Sequence, residues 1–154
     1  MTPMLVSIRK ATRADIPAIQ SIEQAAPTAA HWTSAQYETR MENGCVVVAE
    51  SNSELCGFVC ARIAAGEWEV ENVVTAKSQL RRGVADQLMQ ALIGRALDVK
   101  AASILLEVRA ANVAARRLYE KHGFREVGRR PNYYRDPVDD AILYTFTASL
   151  FSQP

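Results

Sequence analysis

Glu107 is the one acid in an otherwise apolar run, Ser103-Ile104-Leu105-Leu106-Glu107-Val108. By strand alternation it shares a face with Leu105 and Arg109, while Ile104, Leu106 and Val108 point the other way. Partly buried, it would be a stronger base, suited to taking a proton from an amine; paired with Arg109 or exposed at the strand end, it is an ordinary structural acid. Tyr119 lies on the helical segment that follows. By itself it reads as a core aromatic that packs through its ring and hydrogen-bonds at its rim. Asn112, where that helix begins, suits a helix cap and, facing a cleft, can also touch a ligand. Upstream, Leu80-Arg81-Arg82-Gly83-Val84-Ala85 precedes a strongly amphipathic segment. The first turn of a helix has backbone N–H groups without internal acceptors; Gly83 would let a phosphate approach them and Ala85 keeps the next position small. A helix entry with two solvated arginines fits the same residues.

Other chemistries are poorly provided for. With 18 Lys+Arg against 17 Asp+Glu, a net charge of +1 gives no long-range attraction for nucleic acid or an anionic membrane. Arg116, Arg117, Lys121, Arg125, Arg129 and Arg130 form a local basic bias that reads as solvated surface. Cys45, Cys56 and Cys60 lack metal-type spacing, and only His31 and His122 are at hand to complete a cluster, so no metal is expected. Arg9 and Lys10 follow the opening residues 1–8 rather than precede them, the wrong order for a secretory signal, and no apolar run nears the ~20 residues that span a bilayer. The expectation is a reduced, cytoplasmic, membrane-free protein, with all 154 residues in a single domain.

The elements that must position these residues follow from periodicity. A short strand at 5–10 gives way to a helix entered at Thr12, three residues before Asp15, with Ile16, Ile19, Ile22 and Glu23 at helical spacing. That pattern dissolves at Ala25-Ala26-Pro27-Thr28, and a loop with His31 and Trp32 follows. Thr33 or Ser34 caps a second helix through Tyr37 and Met41, ended by Asn43-Gly44 in positive-φ conformation. Residues 45–49 and 55–65 form a hairpin around Ser51-Asn52-Ser53-Glu54, and 68–75 a strand near the sheet centre. Val84, Leu88, Leu92, Ala96 and Leu97, widened by Ala85, Met89 and Ile93, make the longest helix. With strand 103–108 it completes a parallel βαβ unit. A helix from Asn112 stops at His122-Gly123, a strand follows over 124–129, the aromatic stretch 131–137 is a loop, and 140–150 is the last strand. Trp32, Tyr133 and Tyr134 are the candidates to line a substrate groove, or else they cover a core edge. The order is βααβββαβαββ, an α/β (α+β) class with a mixed central sheet flanked by helices.

At this point the chain resembles the GCN5-related N-acetyltransferases, and within them the RimI-type ribosomal-protein-alanine acetyltransferases. The resemblance rests on Asn72-Val73-Val74, on Arg82-Gly83-Val84-Ala85, and above all on residues 106–115 and 118–124, from Leu106-Glu107-Val108-Arg109 to Tyr119-Glu120-Lys121-His122-Gly123-Phe124. Ile22-Glu23, His31-Trp32-Thr33, residues 129–134 and residues 140–143 are similar to flanking segments. The resemblance implies the acyl-CoA N-acyltransferase fold and a cleft for acetyl-CoA between the strand ending at Thr75 and the strand of Glu107. Val73, Val74 and Thr75 would bind the pantetheine arm. Arg81, Arg82, Gly83, Val84, Ala85 and Asp86 would surround the pyrophosphate, and Asn112 would contact the coenzyme. Glu107 matches the general base and Tyr119 the general acid. Leu80 stands where the family has Gln or Arg, and Ala111 where it commonly has Ser.

Cys45, Cys56 and Cys60 lie outside the resembling catalytic segments and have no evident partner base, so direct acetyl transfer without an acetyl-enzyme is expected; the resemblance implies that the acceptor is the α-amino group of a protein or peptide, notably an alanine-led small-subunit ribosomal protein. Transfer to lysine or a small-molecule amine, or a non-catalytic acyl-CoA sensor, are the alternatives. Oligomeric state is left open.

Overall fold

The computed structural model describes residues 5–26 and 29–147. Pro27, Thr28 and the end of the last expected strand, 148–150, lie outside the described residues. The elements are β1 (Ser7–Lys10), α1 (Ile16–Ala25), α2 (Ser34–Asn43), β2 (Gly44–Ser51), β3 (Glu54–Ala64), β4 (Glu67–Thr75), α3 (Val84–Asp98), β5 (Ser103–Arg109), α4 (Val113–Lys121), β6 (Arg125–Tyr134) and β7 (Asp139–Thr147), in the order expected. The seven-stranded sheet runs β1-β2-β3-β4-β5-β7-β6, with β4 in the middle. Only the β4–β5 pair is parallel, as a strand–helix–strand crossover through α3 requires. The β2–β3 hairpin turns through Asn52 and Ser53, both at positive φ.

Alternation along the strands builds two cores. Val46, Val48, Phe58 and Cys60 face α1 and α2, packing on Ile16, Ile19 and Tyr37. Val47, Ala49, Val59 and Ala61 face the other way, against Val84, Leu88, Met89 and Leu92 of α3. The α3 stripe is narrower than its sequence pattern, for Leu97 is exposed. Gly57 sets how closely α3 lies on the sheet. A Cβ there would stand 2.7 Å from the Val74 carbonyl oxygen and 3.2 Å from side-chain carbons of both Val84 and Leu88. Gly57→Ala should therefore cost about 1–3 kcal/mol, the usual penalty for overpacking a filled core. A denaturant midpoint equal to that of the parent would show that α3 can yield.

Several caps are as the residue types dictate. Thr33 Oγ1 accepts the Gln36 N–H at 3.2 Å while the Gln36 side chain accepts the Thr33 N–H at 2.7 Å. Asn112 Oδ1 accepts the Ala115 N–H at 3.1 Å, so Asn112 caps α4 from beside Ala111. The Asp15 carboxylate accepts the Thr12 N–H at 2.8 Å, but the first turn there is 3₁₀. Two expectations are corrected. Gly44 does not close α2 in a left-handed conformation; its φ of −150° is extended and it leads directly into β2. The stretch from Pro131 to Tyr134 is not loop but the second half of β6. β6 is an edge strand, where proline's missing N–H costs no ladder bond, and its pairing with β7 skips from Arg130 to Tyr134.

Candidate active site

The sheet opens at its centre. β4 and β5 pair only at Glu67↔Ser103, Trp68↔Ile104 and Glu69↔Leu105. Beyond that register β4 stays with β3, β5 stays with β7, and the facing backbone edges are left free. The parting coincides with a bulge. Val70 is opposite Ala61 and Asn72 opposite Cys60, so Glu71 is an extra residue on β4. A bulge of this kind bends its strand and shifts the alternation by one. Trp68 and Val70 accordingly pack with the α3 core and Val74 with the α1/α2 core. Buried Asn72 donates to the Ala30 carbonyl at 3.3 Å, tying the bent strand to the chain after α1.

The resulting cleft, about 650 Å³, passes between the two helical layers. β4 contributes its outer half including Val73, Val74 and Thr75; β5 contributes Glu107; α4 contributes Asn112 and Tyr119; Tyr134 closes the β6 side and Ile22 the α1 side. Glu107 and Tyr119, 12 positions apart in the chain, thus share one cavity. Tyr119 is buried, its ring packed on Phe124 and Tyr144. Burial and the neighbouring Tyr134 push its pKa up to about 12, so it keeps its proton throughout the neutral range. Tyr134 is also raised, by burial first and then by the Glu107 charge.

Glu107 does not pair with Arg109. The Arg109 guanidinium donates to the Pro137 and Arg135 carbonyls, each at 2.9 Å, and lies 4.5 Å over the Tyr134 ring, fastening the β6–β7 turn. The Glu107 carboxylate is instead one-third exposed and 3.5 Å from Arg130.

The loop before α3 ends on a glycine-capped helix start. Gly83, at φ +80°, caps the helix in the left-handed conformation that glycine adopts without strain, and the first N–H groups of a 15-residue helix lie just beyond it. Arg81 and Arg82 are exposed, with Arg82 donating to Gln79 at 3.2 Å. Lys77 and Leu80, rather than the arginines, line the cleft itself. The Asp86 carboxylate is engaged within the protein. Burial works to raise its pKa, but hydrogen bonds from Lys121 (3.0 Å) and His122 (2.9 Å) outweigh that and lower it. Its carboxylate joins α3 to the end of α4.

Trp32 and Tyr133 stand outside the main cleft. Trp32 lines a second cavity, about 350 Å³, with Arg40 and Glu71. Glu71 borders both cavities and meets Arg40 at 2.6 Å. Tyr133 is exposed and packs on Tyr134 and under Arg130. Glu23, noted in the sequence for its helical spacing and as part of a flanking segment, is almost wholly buried; it accepts the Trp32 N–H at 3.1 Å and the Tyr37 hydroxyl. Burial, then that hydrogen bond, raises the Tyr37 pKa. Arg116 is not solvated surface: it donates to the Tyr144 hydroxyl at 3.0 Å and to the Ala110 carbonyl at 3.1 Å, anchoring α4. Cys45, Cys56 and Cys60 are buried with raised pKa values, in each case chiefly through desolvation. Among the described residues no helix is long and apolar enough to cross a membrane, and no three His, Cys, Asp or Glu side chains group as metal ligands.

The sequence profile of the acetyltransferase (GNAT) family matches residues 9–124. The [ribosomal protein bS18]-alanine N-acetyltransferase of Escherichia coli (strain K12) is 31% identical over 139 residues, covering 88% of this chain and 93% of the relative. A putative enzyme of the same description from Bacillus subtilis (strain 168) is 25% identical over 143 residues, 92% and 95% of the two chains. The crystal structure of the Escherichia coli ribosomal-protein-S18-alanine N-acetyltransferase superposes with a TM-score of 0.83 at 28% identity, covering 93% of this chain and 94% of that one. A putative acetyltransferase from Salmonella typhimurium, solved with its cofactor acetyl-CoA, shares the fold with a TM-score of 0.81 at 24% identity over 97% of each chain. The splayed central strands, the glycine-capped helix and the RimI-like relatives agree: the chain belongs to the acetyltransferase (GNAT) family and is an N-acetyltransferase whose acetyl donor is acetyl-CoA.

Proposed function

We propose that this chain, acting as one catalytic domain in the cytoplasm, acetylates the α-amino group of a protein that begins with a small residue such as alanine, a small-subunit ribosomal protein above all. The observation that carries the reading is the meeting of Glu107 and Tyr119 in a cleft that runs through the sheet. The similarity to ribosomal-protein-alanine acetyltransferases supports the acceptor class.

The donor fits the residues present. The free edge of β4 at Val73, Val74 and Thr75 suits the amide-bearing pantetheine arm. The N–H groups after Gly83 suit the pyrophosphate, helped by the helix dipole and by Arg81 or Arg82 in place of a side chain at Leu80. Asn112, its carbonyl oxygen engaged in the cap, offers its amide N–H₂ to the coenzyme. Thiols held protonated by burial are poor nucleophiles, which supports direct attack of the amine on the thioester.

The amine must be neutral to attack. An α-amino group (pKa ~7.7–8.0) loses its proton near pH 7 at a cost of about 1 kcal/mol, whereas lysine (pKa ~10.4) costs about 5 kcal/mol. Glu107 takes the proton, directly or through water; β4 N–H groups polarise the carbonyl; Tyr119 protonates the departing thiolate.

The test is release of free thiol from acetyl-CoA with three acceptors: an alanine-led peptide, the same peptide Nα-blocked but carrying lysine, and buffer alone, with the acetyl position found by mass spectrometry. Release at least tenfold faster with the free alanine terminus is expected. Acetylation chiefly on lysine would refute the acceptor assignment, and no release with any amine would refute catalysis.

A further inference from the structure

We propose that Arg130 is an exchangeable counter-ion of Glu107, occupying the place that the incoming acceptor ammonium takes. The inference rests on Glu107 being the base, and it adds a residue that sets acceptor affinity.

Two arginines compete for this position. On the face that carries Glu107, the cross-strand rows are Glu107–Leu143–Gly128 and, next to it, Arg109–Ala141–Arg130. Directly opposed residues share a face, so Arg109 and Arg130 flank Ala141 from its two sides and both lie one row from Glu107. Ala141 and Gly128 leave little bulk between them. Arg109 is removed from the competition by its two carbonyl acceptors and the Tyr134 ring. Arg129 points to Glu126 at 3.4 Å and to Asp140 at 3.7 Å. Arg130 alone reaches Glu107, and among the described residues Glu107 is its only carboxylate partner within 4.0 Å.

The contact is made to be broken. Its 3.5 Å separation is long for a charge-assisted hydrogen bond, and the Arg130 side chain is 54% exposed. The guanidinium carbon already stands 5.5 Å from the Tyr133 ring centroid, a contact that does not depend on the carboxylate. Screened pairs of this kind are worth little, so a substrate cation can displace the arginine at small cost. Arginine does not give up its own proton in a protein, so the proton that Glu107 takes is the acceptor amine's.

The measurements are the acceptor KM for an alanine-led peptide and the acetyl-CoA Kd, in the parent, Arg130→Ala, Arg130→Met and Arg130→Lys. Losing the resident cation should lower the acceptor KM about 2- to 5-fold in the alanine and methionine variants, the range an exposed pair supports, with the acetyl-CoA Kd unmoved. Lysine should restore the parent KM. Added ethylguanidinium should compete with the peptide in Arg130→Ala more strongly than in the parent. General damage to the site raises KM and is not relieved by lysine. An unchanged or raised KM in both neutral variants overturns the exchange, as when Arg130 holds the peptide itself. If Glu107→Gln also turns over at the parent rate, it is the assignment of the base that has failed; if Glu107→Gln is slow and KM is unmoved, only the exchange has.

Discussion

Glu107→Gln should lower kcat/KM for an alanine-led peptide by ~10²–10⁴ at neutral pH, the contribution of a positioned general base. Glutamine keeps the size and polarity of the side chain but cannot accept the amine proton. The deficit should shrink as pH rises toward and past the α-amino pKa of ~7.7–8.0, since bulk solvent then supplies neutral amine. The acetyl-CoA Kd should not change, because Glu107 belongs to β5 and the expected donor contacts are on β4, at the start of α3 and at Asn112. Parallel pH–rate profiles for parent and variant, measured to pH 9.5 or so, decide the matter. Equal rates at every pH would remove Glu107 from the chemistry.

Tyr119→Phe should slow turnover by about 10²-fold when acetyl-CoA is the donor. Phenylalanine retains the ring that packs on Phe124 and Tyr144 at centroid distances of 5.9 and 6.3 Å, so the thermal midpoint should stay close to the parent value. What is lost is a proton held firmly by burial, with a pKa of about 12. A thiol has an ordinary pKa of ~8.5, so its anion leaves fairly well unaided and the loss should be smaller than that of the base. Acetyl donors with more acidic thiols should narrow the gap further. A variant equally slow with all such donors would place the tyrosine's part in binding rather than in protonation.

Much of this architecture is legible in periodicity. The helical repeat from Val84, the apolar strand around Glu107 and the caps at Thr33 and Asn112 are local features, and local rules govern them. What escapes are features decided between strands. Nothing in Glu67-Trp68-Glu69-Val70-Glu71 marks Glu71 as an extra residue, because a bulge exists only relative to the strand opposite. Which arginine meets Glu107 depends on the turn that captures Arg109, whose accepting carbonyls lie 26 and 28 positions downstream. Pro131 reads as a loop signal because sequence alone does not show that β6 is an edge. Arg116 reads as surface because its acceptors are a tyrosine on β7 and a carbonyl after β5. For the site, Glu107, Tyr119, Asn112 and Tyr134 could be nominated by type and do line one cleft, whereas Trp32 and Tyr133 lie beside it.

Glu71 also separates two traffic routes. An unbroken pleated sheet is a wall, and molecules arriving on its opposite sides never touch. By inserting one amino acid into the central strand, this chain turns the wall into a doorway whose jambs are main chain, hence the same for every donor that passes. On the function proposed above, the helical layers on either side can then diversify independently, one matching the carrier and the other the recipient, while the threshold where they exchange cargo keeps its shape.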